Sequence, residues 1–255
     1  MLADAYSLYD RIADAGKGSL KMILQMVRLR RKQILIDIDT QKDFLLAGGK
    51  ACIRNHRRVL AHIRRMMAWA RSQHIPIIST AEVYPDNNGE STVGYCIDGT
   101  DGQKKICYTL LDDRVSFAAD GNTDLPRDML RRHRQVILHK RCVDPFDEPR
   151  IDRLLSEVRA SEFILVGASL EGAVKMTALG LLQRGKKVTI IIDAVGTHNN
   201  KDAKLALRKM ETKGATLIET KKLAGLSHLK QVGVCDCESC QGLARKASDN
   251  SGEIN

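Results

Sequence analysis

Three polar features of this chain stand at or just beyond the ends of apolar runs. Asp39 closes residues 33–39 (QILIDID), Lys140 closes 135–140 (QVILHK), and Gly172-Ala173-Val174 comes shortly after 162–168 (EFILVGA). A carboxylate at the end of a buried strand is costly unless it is paired. An ammonium at a neighbouring strand end can pair with it and can hold negative charge that develops in a reaction. A turn that opens a helix adds backbone N–H groups and the positive end of the helix dipole, which suit an anion. Asp39 and Lys140 are therefore candidates for acid–base chemistry, with Gly172 as an anion-binding position. Asp37 precedes Asp39 by two residues on the same strand face, where carboxylate repulsion would raise at least one pKa. Phe44 and Phe146 read as aromatic pocket walls, and Asp43 as a turn-stabilising residue.

The elements that must position these groups alternate along the chain. Strands are predicted at 33–39, 75–80, 135–140, 162–168, 187–193 and 215–219, from apolar, β-branched runs. Helices are predicted at 55–73, 149–158, 171–184 and 201–213, the last stopped by Gly214. Strands separated by helices give a six-stranded, mainly parallel sheet covered on both faces. In such sheets ligands sit beyond the carboxyl ends of the strands, where the three candidates converge. The long polar segment 81–134 is expected to be an insertion or lid on the 33–225 domain. Residues 1–32 carry helical spacing, interrupted at Gly16 and Gly18, and form an N-terminal helical extension. Residues 226–255 form a cysteine-containing tail.

With 255 residues and 43% hydrophobic content the chain has enough apolar surface for one large α/β domain. No apolar run is long enough for a membrane span, and the first 32 residues lack the pattern of a secretory signal. Seven cysteines, an odd number without a disulfide-framework spacing, fit a reducing, cytoplasmic setting. The net charge of +10 favours anionic partners, small carboxylates or nucleic acid, although a solvated basic face is the simpler account of it. Only 4% of residues are aromatic, which disfavours single-strand stacking platforms and makes nucleic acid the weaker alternative.

Asp39-Thr40-Gln41-Lys42-Asp43-Phe44 resembles the D-x-Q-x-D-F signature of the isochorismatase-like, or cysteine hydrolase, superfamily. Lys140 matches the family lysine, and the turn from Gly167 to Val174 matches the nucleophile turn with Ala173 on the cysteine position. The resemblance covers about residues 33–223. It implies a Rossmann-like three-layer α/β/α domain, often oligomeric, with a cis peptide near Ala168-Ser169. It also implies an Asp–Lys–Cys site in which the Asp deprotonates the thiol. Alanine at position 173 removes that covalent route. Nicotinamidases carry a metal site of one Asp and several His after the second strand, whereas here that region reads Thr80-Ala81-Glu82-Val83-Tyr84. The Thr-Ala-Glu run is similar to that of siderophore-type isochorismatases, which also lack the cysteine and are thought to hydrolyse a vinyl ether with the Asp as general acid. This resemblance places Glu82 and Tyr84, with Phe44, Phe146 and Gly172, among the substrate contacts.

Three readings follow: a hydrolase of a small anionic molecule using Asp39 and Lys140 without a thiol or a catalytic cofactor, an inactive ligand- or partner-binding relative, or a cysteine amidohydrolase with its cysteine replaced. Cys142 and Ser169 are weak alternative nucleophiles because neither occupies the turn position. Cys235, Cys237 and Cys240, with His228, make a candidate tetrahedral zinc set outside the family core. A reduced cysteine-rich tail is the simpler account of that run.

Overall fold

Every β-strand of the domain runs parallel to its neighbours. The structure, a computed structural model, describes residues 33–86 and 93–225. The order of elements is β1 (Ile34–Ile38), α1 (Lys42–Leu45), α2 (His56–Ser72), β2 (Ile77–Glu82), β3 (Arg114–Phe117), α3 (Met129–Arg132), β4 (Gln135–Lys140), α4 (Pro149–Glu157), β5 (Phe163–Gly167), α5 (Lys175–Gln183), β6 (Val188–Val195), α6 (Asn200–Thr212), β7 (Thr216–Ile218) and α7 (Thr220–Ala224). The sheet order is β3-β4-β2-β1-β5-β6-β7. The sheet thus has seven strands rather than six. The additional strand, β3, pairs with β4 at the edge, and its alternating exposed and half-buried residues sit inside the polar 81–134 segment. Among its described residues that segment holds β3, α3 and a 3-10 turn at Cys107–Thr109.

The central strands are buried on both faces, so they read as continuous apolar runs whose alternation shows only in which core each side chain joins. Ile34, Ile36 and Ile38 enter one core with Ile151 and Leu155 of α4, Ala178 and Leu181 of α5, and Ala206 and Met210 of α6. Leu35 enters the other core with Val59, Ile63, Met66 and Met67 of α2 and Ala224 of α7. Three layers result, with Val59, Ile63, Met66, Met67 and Ala70 forming the apolar face of α2.

β1 and β5 meet at full register, Ile38 opposite Gly167. Gly167 has φ 126°, and a Cβ there would lie 1.9 Å from the Ile38 carbonyl oxygen, so only glycine lets the two strands join this closely. The chain leaves Gly167 through a cis Ala168–Ser169 peptide. It then passes through a π-type turn at Leu170–Val174 before α5 begins at Lys175, four residues later than the helix start at Glu171 that the apolar spacing suggests.

Candidate active site

The carboxyl ends of β1, β2 and β4 bring three ionisable side chains together. The register pairs Glu82 of β2 with Lys140 of β4, which sets their side chains on one face. Lys140 Nζ lies 2.8 Å from Asp39 Oδ2 and 2.8 Å from Glu82 Oε1. It also donates to the Cys142 carbonyl at 2.9 Å. Asp39 and Lys140 are fully buried and Glu82 is 3% exposed. Asp39 sits just past the strand with φ 47°, a left-handed conformation that aspartate tolerates better than most residues. Thr80 donates its hydroxyl to Asp39 Oδ1 at 2.6 Å, and Tyr84 donates its own to Glu82 Oε2 at 3.1 Å.

The electrostatics follow from burial and proximity. Burial, and then the neighbouring Asp39 carboxylate, push Glu82 up to about 6, against the pull of Lys140 and Tyr84. Burial works against the Lys140 ammonium, but Asp39 and Glu82 together outweigh it and hold its pKa above the ordinary lysine value. The cluster carries a net charge of −1 with Glu82 ionised and zero with Glu82 protonated.

Hydrogen bonds from the D-x-Q-x-D-F segment hold the covering polar segment in place. Gln41 accepts from the Glu82 amide at 2.8 Å and donates to the Glu82 and Gln103 carbonyls at 2.7 and 2.8 Å. Asp43 accepts from the amides of Lys50 at 3.1 Å and Cys96 at 2.7 Å, so it is a clamp between two loops. Phe44, Tyr95 and Tyr84 form an edge-to-face aromatic series with ring centroids 5.3 and 5.7 Å apart.

Several residues sit differently from the sequence expectation. Asp37 does not oppose Asp39: its carboxylate contacts Lys105 Nζ at 3.0 Å and accepts from Ser79 at 2.8 Å, in a separate buried network reached through the polar segment. Phe146 lies against α5. Its ring fills the space over Gly180, where a Cβ would come within 2.0 Å, and Arg184 stacks on it at 3.9 Å. The Gly172 and Val174 amides both donate to the Ser169 carbonyl, at 3.1 and 3.0 Å, so two N–H groups read as anion donors are already engaged. Ala173 is 2% exposed and belongs to the apolar core of Ile38, Leu138 and Val174. A Cβ on Gly172 would lie 2.7 Å from Ser169 Oγ and 3.5 Å from Val143, which puts this turn beside the loop that follows Lys140. Cys142 is a poor nucleophile. Burial pushes its thiol up to about 11, and its sulfur donates to the Asp144 carbonyl at 3.0 Å. His228, Cys235, Cys237 and Cys240 lie outside the described residues, as do residues 1–32. The sequence reading missed the direct pairing of Glu82 with Lys140 and the role of Thr80. The usable signal was parity: Thr80 and Glu82 alternate onto the face shared with Lys140.

The chain is similar to several known proteins. Nicotinamidase of Escherichia coli (strain K12) is 27% identical over 199 residues, covering 72% of this chain and 92% of that protein. Isochorismatase domain-containing protein 2A of Mus musculus is 23% identical over 209 residues, covering 82% of this chain and 79% of that protein. The crystal structure of Pyrococcus horikoshii pyrazinamidase in complex with zinc shares the fold, with a TM-score of 0.57 and 21% identity over 74% of this chain and 99% of that one. The residues present here do not fit such an ion. Among the described residues no group of three His, Cys, Asp or Glu side chains is arranged to hold a metal. Glu82, the carboxylate best placed for the task, already faces an ammonium on one oxygen and a tyrosine hydroxyl on the other. The isochorismatase domain model matches residues 33–222, and with the seven-stranded parallel sheet this shows that the chain belongs to the isochorismatase family of hydrolases.

Proposed function

We propose that this chain hydrolyses a small molecule by acid–base chemistry at Asp39, Lys140 and Glu82, without an enzyme-bound acyl intermediate. The observation that carries the reading is the buried carboxylate–ammonium–carboxylate cluster, with Lys140 Nζ 2.8 Å from each acid. Glu82, raised to about 6, is protonated in an appreciable fraction of molecules near neutrality and is the proton donor to the substrate. Asp39, held by Thr80 and Lys140, accepts the proton of the attacking water. Lys140 holds the negative charge that develops as the bond breaks. An anionic substrate enters the cluster most readily when Glu82 is protonated, because the cluster is then neutral. Substrate binding and the proton needed for cleavage are thereby coupled. All three groups are buried, so turnover requires the structure around them to open.

A panel of activated amides and vinyl ethers tests this reading. Asp39→Asn and Glu82→Gln should each abolish turnover of any substrate found, and Ala173→Cys should not increase it. A gain of orders of magnitude in Ala173→Cys would instead identify a cysteine amidohydrolase that lacks its nucleophile. A second reading, a silent relative that only binds ligands, is favoured by the complete burial of Asp39 and Lys140. It predicts no turnover in the whole panel and unaltered ligand binding in Asp39→Asn.

A further inference from the structure

A second charged site lies at the opposite end of the sheet. α3 leads into the start of β4, and residues 158–159 follow α4 towards the start of β5. Between these segments is a groove of about 380 Å³ lined by Arg127, Arg131, Arg153 and Arg159 over Leu125 and Leu154. Two carboxylates, Asp128 and Glu157, also line it, so four arginines against two acids leave an excess of two positive charges.

The arginines differ in what already occupies them. Arg153 donates to Glu157 Oε1 at 3.1 Å and to the Thr123 carbonyl at 3.0 Å. Arg131 Nε is 3.6 Å from Asp128. Arg127 and Arg159 are exposed and meet no acid or carbonyl among the described residues. A further cation lies beside the 156–159 segment. Lys186 donates to the carbonyls of Ser156 at 2.9 Å and Val158 at 3.0 Å. Partial burial lowers its pKa, and the charges of Arg159 and Arg184 lower it further. Like charges gathered in one place, with two guanidinium groups unused, form a surface that an anion would relieve.

We propose that this groove binds phosphate groups through the free guanidinium forks of Arg127 and Arg159. A guanidinium presents paired N–H donors in a plane that matches two phosphate oxygens, which a point-like ammonium does not. The volume is in the range of small-molecule pockets, roughly 300–1,000 Å³. It admits a phosphorylated metabolite or two adjacent phosphates of a phosphodiester strand, and both offer the same chemistry. The net charge of +10 on the whole chain favours association with either anion. The groove is separate from the Asp39 cluster. β4 alone sets its two ends about 17 Å apart at the usual rise per residue. The proposal therefore stands whether or not the chain hydrolyses anything.

The test uses the full chain with two probes, pyrophosphate followed by calorimetry and a fluorescein-labelled oligouridylate followed by anisotropy, across a salt series. Arg127→Gln/Arg159→Gln should weaken pyrophosphate binding by about tenfold or more, from loss of two charge-assisted contacts. Lys209→Gln/Lys213→Gln removes the same charge from α6 and should change it less than about threefold, the effect of diffuse charge alone. If the natural source is a phosphodiester strand, oligouridylate binds too, and its log–log salt slope falls by about 1.4 in the arginine variant, about 0.7 per lost phosphate contact. If oligouridylate fails while pyrophosphate binds through the groove, the source is a free phosphorylated molecule. Failure of both probes overturns the proposal, and so does equal weakening by the α6 control. Thermal melting confirms that each exposed double variant folds.

Discussion

Replacing Lys140 with methionine isolates what the buried cluster is worth. Asp39 Oδ2 and Glu82 Oε1 each lie 2.8 Å from Nζ, so they are at most twice that distance, about 5.6 Å, apart. With the ammonium gone, two carboxylates face each other across that gap. At an effective dielectric near 20 their repulsion is about 3 kcal/mol, and removing one partner of a buried ion pair typically costs about 3–5 kcal/mol in all. For a domain of this size that is a fall in melting temperature of roughly 10 °C at pH 8. The loss should be pH-dependent in a fixed direction. Glu82 already sits at about 6, above its unfolded value, so its folded form takes up a proton first as pH falls. Without Lys140 its pKa rises further. Protonation then removes the repulsion, and Lys140→Met should recover much of its lost stability between pH 8 and pH 5.5. Lys140→Met/Glu82→Gln should recover it at pH 8 as well. Chemical denaturation of the three proteins at the two pH values is the assay. A penalty under about 1 kcal/mol at pH 8, or one equal at both pH values, would mean that the three side chains do not act as one charge-compensated unit.

If Glu82 is the proton donor, kcat/KM for any substrate should decline as pH rises through about 6, because the acid form is lost. A descending limb that persisted in the residual activity of Glu82→Gln would assign the donor elsewhere. Gly167→Ala places a methyl 1.9 Å from the Ile38 carbonyl oxygen at φ 126°, so it should destabilise the domain by about 3 kcal/mol or more, read by equilibrium unfolding. Gly180→Val should displace Phe146 and cost about 1–3 kcal/mol while leaving the Asp39 cluster chemically intact, which a pH profile parallel to the parent would verify. Elemental analysis addresses the cysteine run: any zinc bound by the purified chain should vanish in Cys235→Ser/Cys237→Ser and persist in Glu82→Gln, since Glu82 is already committed to Lys140.

The parts of the fold that depend on burial were legible in the sequence. β1, β4 and β5 are buried on both faces, so their apolar runs stand out against the polar segments between them. β3 was not legible, because Arg114-Val115-Ser116-Phe117 lies at an edge with every second residue in solvent and is too short and too polar to show a continuous apolar run. The convergence of Asp39 and Lys140 followed from placing strand ends together, and they do meet. The supposed conflict between Asp37 and Asp39 assumed that period-two alternation continued to residue 39. It ends at Ile38, and the left-handed Asp39 turns out of the pleat while Asp37 points towards Ser79 and Lys105. No local pattern could announce Lys105, which reaches Asp37 and the Thr80 carbonyl from a loop far along the chain. The start of α5 was also obscured, because the Ser169 carbonyl captures the two amides that a regular helix would have left for its first turn.

On the reading that Ala173 stands at the family's nucleophile position, Ala173 and Glu82 are connected through charge. A thiolate there would join the two carboxylates around one ammonium, and the site would carry an excess of two negative charges with Glu82 ionised. With alanine there, the excess is one, and the proton that brings it to zero binds Glu82 near pH 6. On that reading the alanine does more than withhold a nucleophile. It lets a second carboxylate occupy the Lys140 ammonium at a cost the buried site can bear, and it leaves that carboxylate poised between its two protonation states. On this argument Ala173→Cys should raise the pKa of Glu82 or keep its own thiol protonated, and in neither case should it restore a working thiolate while Glu82 remains. Ala173→Cys/Glu82→Gln, which removes the competing charge, is the variant in which thiolate reactivity towards an alkylating probe should first appear. Faster alkylation of the single cysteine variant than of this double variant would show that Glu82 does not govern the charge of the turn.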